Sequence, residues 1–252
     1  HQGKKKDWNF PKILETRLKQ YSKKIQYHQL NIDPEKIKNE ESWIIDDVKG
    51  DDAWRIENFQ RNYIKTACQQ FSDKDILIIS DVDEIPNLSE VNFNNISEKI
   101  IMFHQDMFYY KFDLKIPNLL WTGTKGCRKK YLLSPQWLRN VKDRKYFPFR
   151  IDILFSEKKY SSIKFISNGG WHFSNIKTAE EIEYKLKSYL HHREFDEQSL
   201  SVEEIQNIIE NKKAYWRYDN KYIKYISWYK YEANSLKTYN NSQNFKNEVL
   251  MD

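Results

Sequence analysis

The sequence predicts an α/β domain, a central mixed sheet flanked by helices, and three observations lead there. The run Asp75-Ile76-Leu77-Ile78-Ile79-Ser80 is short, apolar and β-branched, the pattern of a strand buried on both faces of a parallel sheet. Segments with helical spacing alternate with further strand-like runs along the chain. Glycine and proline number only six each and are scattered, so no linker divides the 252 residues and no internal repeat shows.

Taken in order, Phe10, Ile13, Leu14, Leu18 and Tyr21 recur at helical spacing, and a short strand is predicted from Ile25 to Leu30. Asp51 or Asp52 can cap a second helix running past Trp54, Phe59, Tyr63, Ile64 and Ala67 to about Phe71. After the strand at 75–80, further strands are predicted at 99–104, 107–112 and 163–167, with helices at 134–141, 178–191 and 201–212. The aromatic stretch from Tyr215 to Tyr239 reads as helical and packed onto the domain. The predicted division is a domain over 1–214 and a mainly helical extension over 215–252.

Composition excludes several classes. Aromatic residues make up 15% of the chain, including eight Trp and seventeen Tyr, which argues for a packed core rather than disorder. The net charge of +6 arises from 42 basic residues dispersed among 36 acidic ones. The run Lys4-Lys5-Lys6 and the pair Lys129-Lys130 are too short for a nucleic-acid stripe, so no nucleic-acid partner is expected. Cys68 and Cys127 lack metal-ligand or redox spacing and read as buried thiols. No apolar stretch approaches the roughly 20 residues of a membrane span, so a soluble protein is expected. A Lys-, Asn- and Ile-rich composition points to an AT-rich viral or bacterial genome and a cytoplasmic location, with a secretory lumen as the alternative. The oligomeric state is not legible.

Chemistry concentrates where the 75–80 strand ends, in Asp81-Val82-Asp83-Glu84-Ile85-Pro86. The carboxyl ends of strands in an open α/β sheet form the ligand crevice. Three crowded carboxylates call for a neutralising cation or proton. With oxygen ligands alone, that cation would be Mg²⁺ or Mn²⁺, which keeps positions open for substrate phosphates. The plainer alternative is a polar turn closing a strand. Two enzyme classes place Asp-x-Asp after such a strand. Haloacid-dehalogenase-like phosphatases use the first Asp as nucleophile, but their motif sits on the first strand, and Ile85 stands where they carry Thr or Val. Glycosyltransferases of the GT-A type use it mid-chain to hold a divalent ion on the donor diphosphate, which matches the placement here. A non-catalytic carbohydrate-binding protein, exploiting the Trp and Tyr, is a third possibility.

The stretch Ile78-Ile79-Ser80-Asp81-Val82-Asp83-Glu84-Ile85-Pro86 resembles the signature of glycosyltransferase family 17, which includes the bisecting β-1,4-mannosyl-glycoprotein N-acetylglucosaminyltransferase. Other segments resemble the family's in order: Trp54-Arg55 with Gln60-Arg61-Asn62, Trp121-Thr122-Gly123-Thr124-Lys125, Gly169-Gly170-Trp171-His172-Phe173-Ser174, and Lys185-Leu186-Lys187-Ser188 with His192-Arg193-Glu194-Phe195. Ile56 departs from the family's usual Glu. His1-Gln2-Gly3-Lys4 resembles a segment that normally follows a first strand and helix, so a GT-A-like (Rossmann-like) fold lacking those elements is expected.

The resemblance implies inverting transfer of a sugar, commonly N-acetylglucosamine, from a UDP-sugar donor to a glycan hydroxyl, with Mn²⁺ or Mg²⁺. It makes Asp83 the first metal ligand and Asp81 a contact to the ion or the ribose, with Glu84 orienting them or acting directly. His172 is either a further metal ligand or diphosphate contact, to which Gly169-Gly170 lets the backbone approach, or a core histidine beside Trp171. Glu194 is the candidate base, with Asp152 and Asp106 as rivals, or else a solvated surface acid. Arg61, Lys125, Arg128 and Trp171 are candidate donor-binding residues, the cations equally readable as surface or helix-stabilising charges.

Overall fold

Eight strands come in four consecutive pairs: β1 (Ile76–Ile79) and β2 (Glu84–Pro86), β3 (Ile100–Phe103) and β4 (Gln105–Tyr109), β5 (Leu114–Trp121) and β6 (Lys125–Arg128), β7 (Ile163–Ile166) and β8 (Gly170–Ser174). The computed structural model in which they are seen describes residues 10–30, 52–188 and 200–211, and the backbone of five two-residue strands between 213 and 230. The members of each pair lie in different sheets. One sheet has the order β1-β6-β3-β7, and the other runs β5-β4-β8-β2 with a further strand beside β5. Both are mixed, since β3 pairs parallel with β7 and β4 with β8, while the remaining pairs are antiparallel. Where one central sheet was expected, the chain therefore builds two, joined along a seam at 80–83, 104, 122–124 and 167–169.

Backbone hydrogen bonds continue across that seam, from Phe103 N to Thr124 O at 3.2 Å, His104 N to Ile166 O at 3.0 Å and Gly169 N to His104 O at 2.8 Å. Three of the four pairs keep their neighbours on crossing. The first does not: β1 lies against β6 and β2 against β8, so the chain between Ile79 and Glu84 passes from one edge of the first sheet to the opposite edge of the second. The acidic turn is that crossing.

The helices are α1 (Phe10–Glu15), α2 (Asp52–Ala67), α3 (Pro135–Asn140), α4 (Ile151–Leu154), α5 (Ala179–Ser188) and α6 (Val202–Glu210). Local chemistry starts three of them. Ser134 accepts from Trp137 N at the head of α3, with Pro135 at the first position. Thr178 and Glu181 each donate a backbone N–H to the other's side-chain oxygen at the head of α5, and Ser201 with Glu204 forms a capping box for α6. Trp137, Leu138 and Val141 from α3 cover one face of the first sheet, meeting Ile79, Ile100, Met102, Cys127 and Ile163. Its other face is covered by Ile96 with Val91 and Phe93. Ile182 of α5 and Ile205, Ile208 and Ile209 of α6 pack on the second sheet against Met107, Leu114 and Ile116. Among the described residues no helix is long and apolar enough to cross a membrane.

Several sequence expectations change. The interior strand is β3, all four residues of which are buried, whereas β1 is an edge strand with alternating burial, paired only to β6 and antiparallel to it. An apolar run reports burial, but which strand is central depends on its neighbours. The first helix ends at Glu15 and gives way to a 3-10 stretch at Lys19–Lys24. Residues 25–30 join no ladder; Gln26 instead pairs with the Gln70 amide, and Tyr27 packs on Phe10 with ring centroids 5.4 Å apart. Of the helix expected over 215–239, residues 231–239 lie outside the described residues; the described backbone between 213 and 230 forms β9 (Lys213–Ala214), β10 (Arg217–Tyr218), β11 (Tyr222–Ile223), β12 (Ile226–Ser227) and β13 (Tyr229–Lys230), the last extending the second sheet beside β5. Tyr and Ile favour extended backbone, and this preference outweighs the weak helical pattern.

Candidate active site at the sheet seam

The acidic turn closes with a hydrogen bond from Glu84 N to Asp81 O at 3.0 Å and leaves Val82 fully exposed at its tip. Its three acids have three environments. Glu84 opens β2 opposite His172, and its side chain is only 1% exposed. Its carboxylate accepts from Trp121 Nε1 at 2.6 Å, Arg139 Nη1 at 2.6 Å and Nη2 at 3.0 Å, Asp81 N at 3.1 Å and Thr124 Oγ1 at 3.3 Å. Burial opposes its charge, but the Arg139 hydrogen bonds and charge, with Trp121 and the Asp81 amide, hold the carboxyl below the ordinary glutamate value. Gly123 is required here by close approach: a Cβ would lie 1.7 Å from Glu84 Oε1 and 2.1 Å from Trp121 Nε1.

Asp81 accepts from Arg139 Nη2 at 2.7 Å on one oxygen and from Arg61 Nη2 at 3.3 Å on the other. Arg139 is therefore the counter-ion shared by two of the three acids. Burial disfavours its charge, yet Glu84, Asp81 and Asp83 keep it firmly protonated. Its position is set from below. Lys125, 5% exposed on β6, donates to Arg139 O at 2.7 Å and Val141 O at 2.6 Å, closing the C-terminal end of α3. From the side, α2 docks through Arg61, which reaches Gln136 Oε1 and Glu57, through Asn62 Oδ1, which accepts from Gln136 N at 3.0 Å, and through Lys65 on Leu133 O.

Asp83 is the acid that pairs with no arginine among the described residues; its side chain is 40% exposed, close to the 38% of Asp81. His172 Nε2 stands 3.6 Å from Asp83 Oδ2, too far for a normal hydrogen bond and close enough for charge to act. Burial would raise the Asp83 carboxyl, but His172, the local backbone and the charge of Lys185 bring it below its ordinary value. Phe173 N donates to Asp83 O at 2.8 Å, fixing the turn against β8. His172 lies against the Trp121 ring, centroids 4.7 Å apart, and its buried Nδ1 has no hydrogen-bond partner among the described residues. Lys185 is held by Asn175 Oδ1 at 2.6 Å, and Asn175 in turn donates to Tyr109 OH at 2.6 Å.

The fold thus gathers Asp81, Asp83, Glu84, Arg61 and His172 from three separate segments. Other sequence candidates sit elsewhere. Glu84, expected among catalytic groups, is sealed from solvent and saturated with donors, which suits holding the turn rather than moving a proton. Lys125 spends its ammonium on helix carbonyls, and burial pulls it down to about 8. Arg128 is at the far end of β6, opposite Ile76, donating to Lys74 O and Ile96 O. Asp152 is held by Arg150 and Lys159 on α4, and Asp106 by Lys115. Trp171 alternates with His172 along β8 and so points to the other face of the sheet. Glu194 lies outside the described residues, as do the His1–Lys4 and His192–Phe195 segments. The glycine pair serves packing: Gly170 has φ +121° and sits where a Cβ would strike Ile85 O at 2.0 Å.

Sequence reasoning missed Arg139, and it quoted Trp121 within a motif without assigning its indole a role. Arg139 lies in a predicted helix and looks like any helical cation; only the docking of α3 aims it at the turn.

Among the described residues no three His, Cys, Asp or Glu side chains converge as a metal site. Asp83 and His172 still offer one carboxylate oxygen and one imidazole nitrogen side by side. That is a two-donor set of the kind completed by substrate phosphate oxygens and water. Asp81 does not fit as readily, because a metal there would compete with two arginines. Comparison of the chain with protein-family models, with curated proteins and with solved structures finds no match.

Proposed function

We propose that the chain is a metal-dependent glycosyltransferase of the GT-A type, moving a sugar from a UDP-sugar to a glycan hydroxyl. The observation that carries the reading is the unequal treatment of the three acids. Arg139 and Arg61 neutralise Asp81 and Glu84, whereas Asp83 pairs with no arginine among the described residues and stands beside His172 at a crossing between sheets. The resemblance of the acidic turn to family 17 supports the choice of donor class.

In this proposal Asp83 and His172 hold Mn²⁺ or Mg²⁺, which supplies charge neutralisation for a departing diphosphate. Glu84 fixes the turn through Trp121 and Arg139, so that Asp83 keeps its orientation without reorganising as charge develops. Arg139 and Arg61 lend positive potential to the rim, and Lys185, whose charge Asp83 already feels, adds to it. Glu194, the base that the sequence offered alongside Asp152 and Asp106, lies outside the described residues.

The test is a thermal-shift and calorimetric screen of UDP, GDP and their sugars with and without Mn²⁺. Stabilisation that needs both UDP and the ion is expected, lost in Asp83→Asn while the melting temperature of the unliganded variant stays within a degree or two of wild type. Undiminished binding by that variant removes Asp83 from the site. Phosphate release from a monoester with indifference to UDP would transfer the chain to the phosphatase class.

A further inference from the structure

Apart from Val82, the five most exposed large apolar side chains among the described residues fall within one nine-residue stretch: Phe147 (66%), Phe149 (84%), Ile151 (73%), Leu154 (78%) and Phe155 (86%). A concentration of this kind on a surface marks an interaction site, since single exposed apolar residues are ordinary and contiguous ones are not. The stretch is built as a protrusion. Its neck is tied by Lys142 N to Lys158 O at 2.8 Å, Tyr146 N to Tyr160 O at 3.0 Å and Trp137 Nε1 to Glu157 O at 2.7 Å. Tyr146 is buried at the base, whereas Phe147 and Phe149 stack edge to face outside it at 5.5 Å, and α4 carries Ile151 and Leu154 with Phe155 just past its end.

Charge is arranged around the same neck. Lys142, Arg144, Lys145, Lys158 and Lys159 stand against Asp143 and Glu157, leaving an excess of three positive charges, and the tip itself carries Arg150 paired with Asp152. Arg144, Arg150 and Lys159 all lie over the Tyr146 ring. An apolar tip above a basic collar reproduces the depth profile of a lipid interface, acyl chains below and anionic headgroups above. A protein partner would explain the apolar tip; the collar selects an anionic surface.

We propose that residues 147–155 insert into the interface of an anionic membrane and anchor the protein there peripherally. The inference stands on this surface alone and does not depend on the proposed transferase activity. At the neck Thr122, next to the Trp121 that donates to Glu84, donates to Asp143 at 3.3 Å.

The experiment is co-flotation of the full chain with vesicles of neutral phosphatidylcholine or of phosphatidylcholine containing about a third phosphatidylserine. Binding is expected only to the anionic vesicles. It should weaken with salt, and by on the order of fivefold for each of Lys145→Gln and Lys158→Gln. Phe149→Ser combined with Phe155→Ser should reduce it at least about tenfold, with an unchanged melting temperature. Failure of the wild type to float with anionic vesicles, or equal flotation of the double variant, overturns the proposal. So does a double variant that melts well below wild type, which assigns the patch to cover by another segment of this chain. A wild-type dimer in sedimentation that the double variant abolishes, without vesicle binding, assigns it to a second copy and likewise overturns the lipid anchor.

Discussion

Replacing Arg139 by Ala isolates the interaction on which the acidic turn rests. Arg139 is 12% exposed and Glu84 1% exposed at their side chains, and the pair is bidentate at 2.6 and 3.0 Å. Removing one partner of a buried pair leaves an uncompensated charge, which costs about 3–5 kcal/mol. The Asp81 contact, with that carboxylate 38% exposed, adds little because water screens it. The size of the loss depends on pH, and its sign is fixed. In the wild type the lowered Glu84 carboxyl contributes stability above the ordinary glutamate value near 4.5, and that contribution is lost as pH falls through the folded value. In the variant, burial without Arg139 raises the same carboxyl, so its penalty is full at neutral pH and disappears below about 4.5. The difference between the two proteins should therefore be largest near pH 7 and shrink as pH falls to 4. Urea unfolding at several pH values measures it, and Glu84→Gln introduced into the Arg139→Ala background should restore part of the loss at pH 7. A difference under about 1 kcal/mol that ignores pH would refute the reasoning.

Gly123→Ala places a methyl where the Trp121 indole meets the Glu84 carboxylate, and overpacking there should cost about 1–3 kcal/mol, read as a lowered urea midpoint at unchanged slope. Lys125 is pulled from 10.5 to about 8, chiefly by burial, so the folded chain sheds this proton before the unfolded one does and stability should rise with pH between those values. Lys125→Met should flatten that rise in denaturant titrations from pH 8 to 10.5, and a rise of undiminished slope would show that another group causes it.

Much of the local structure was legible. The helices at 52–67, 135–140 and 202–210 and the strands at 76–79, 100–103 and 163–166 all fall within predicted segments, because capping residues and apolar periodicity act over a few neighbours. The reading gave no strand at 84–86, 114–121, 125–128 or 170–174, and it erred at 25–30 and 213–230, whose patterns are compatible with more than one backbone and whose state depends on whether a partner edge is present. The seam between sheets left no trace in the sequence. Each break between paired strands is short, and nothing local says that the first pair changes edges while the other three keep their neighbours.

The same division runs through the site. Sequence alone determined that three acids crowd the end of a strand and that something must neutralise them, since adjacent like charges repel whatever the fold. Only the tertiary structure decided that arginines reach Asp81 and Glu84, and that Asp83 is left facing His172. Arg139 lies 55 residues from Glu84, and Lys125 sets its reach from a third segment. Charge pairing over such separations is fixed by how helices and strands dock, which short-range sequence patterns do not encode.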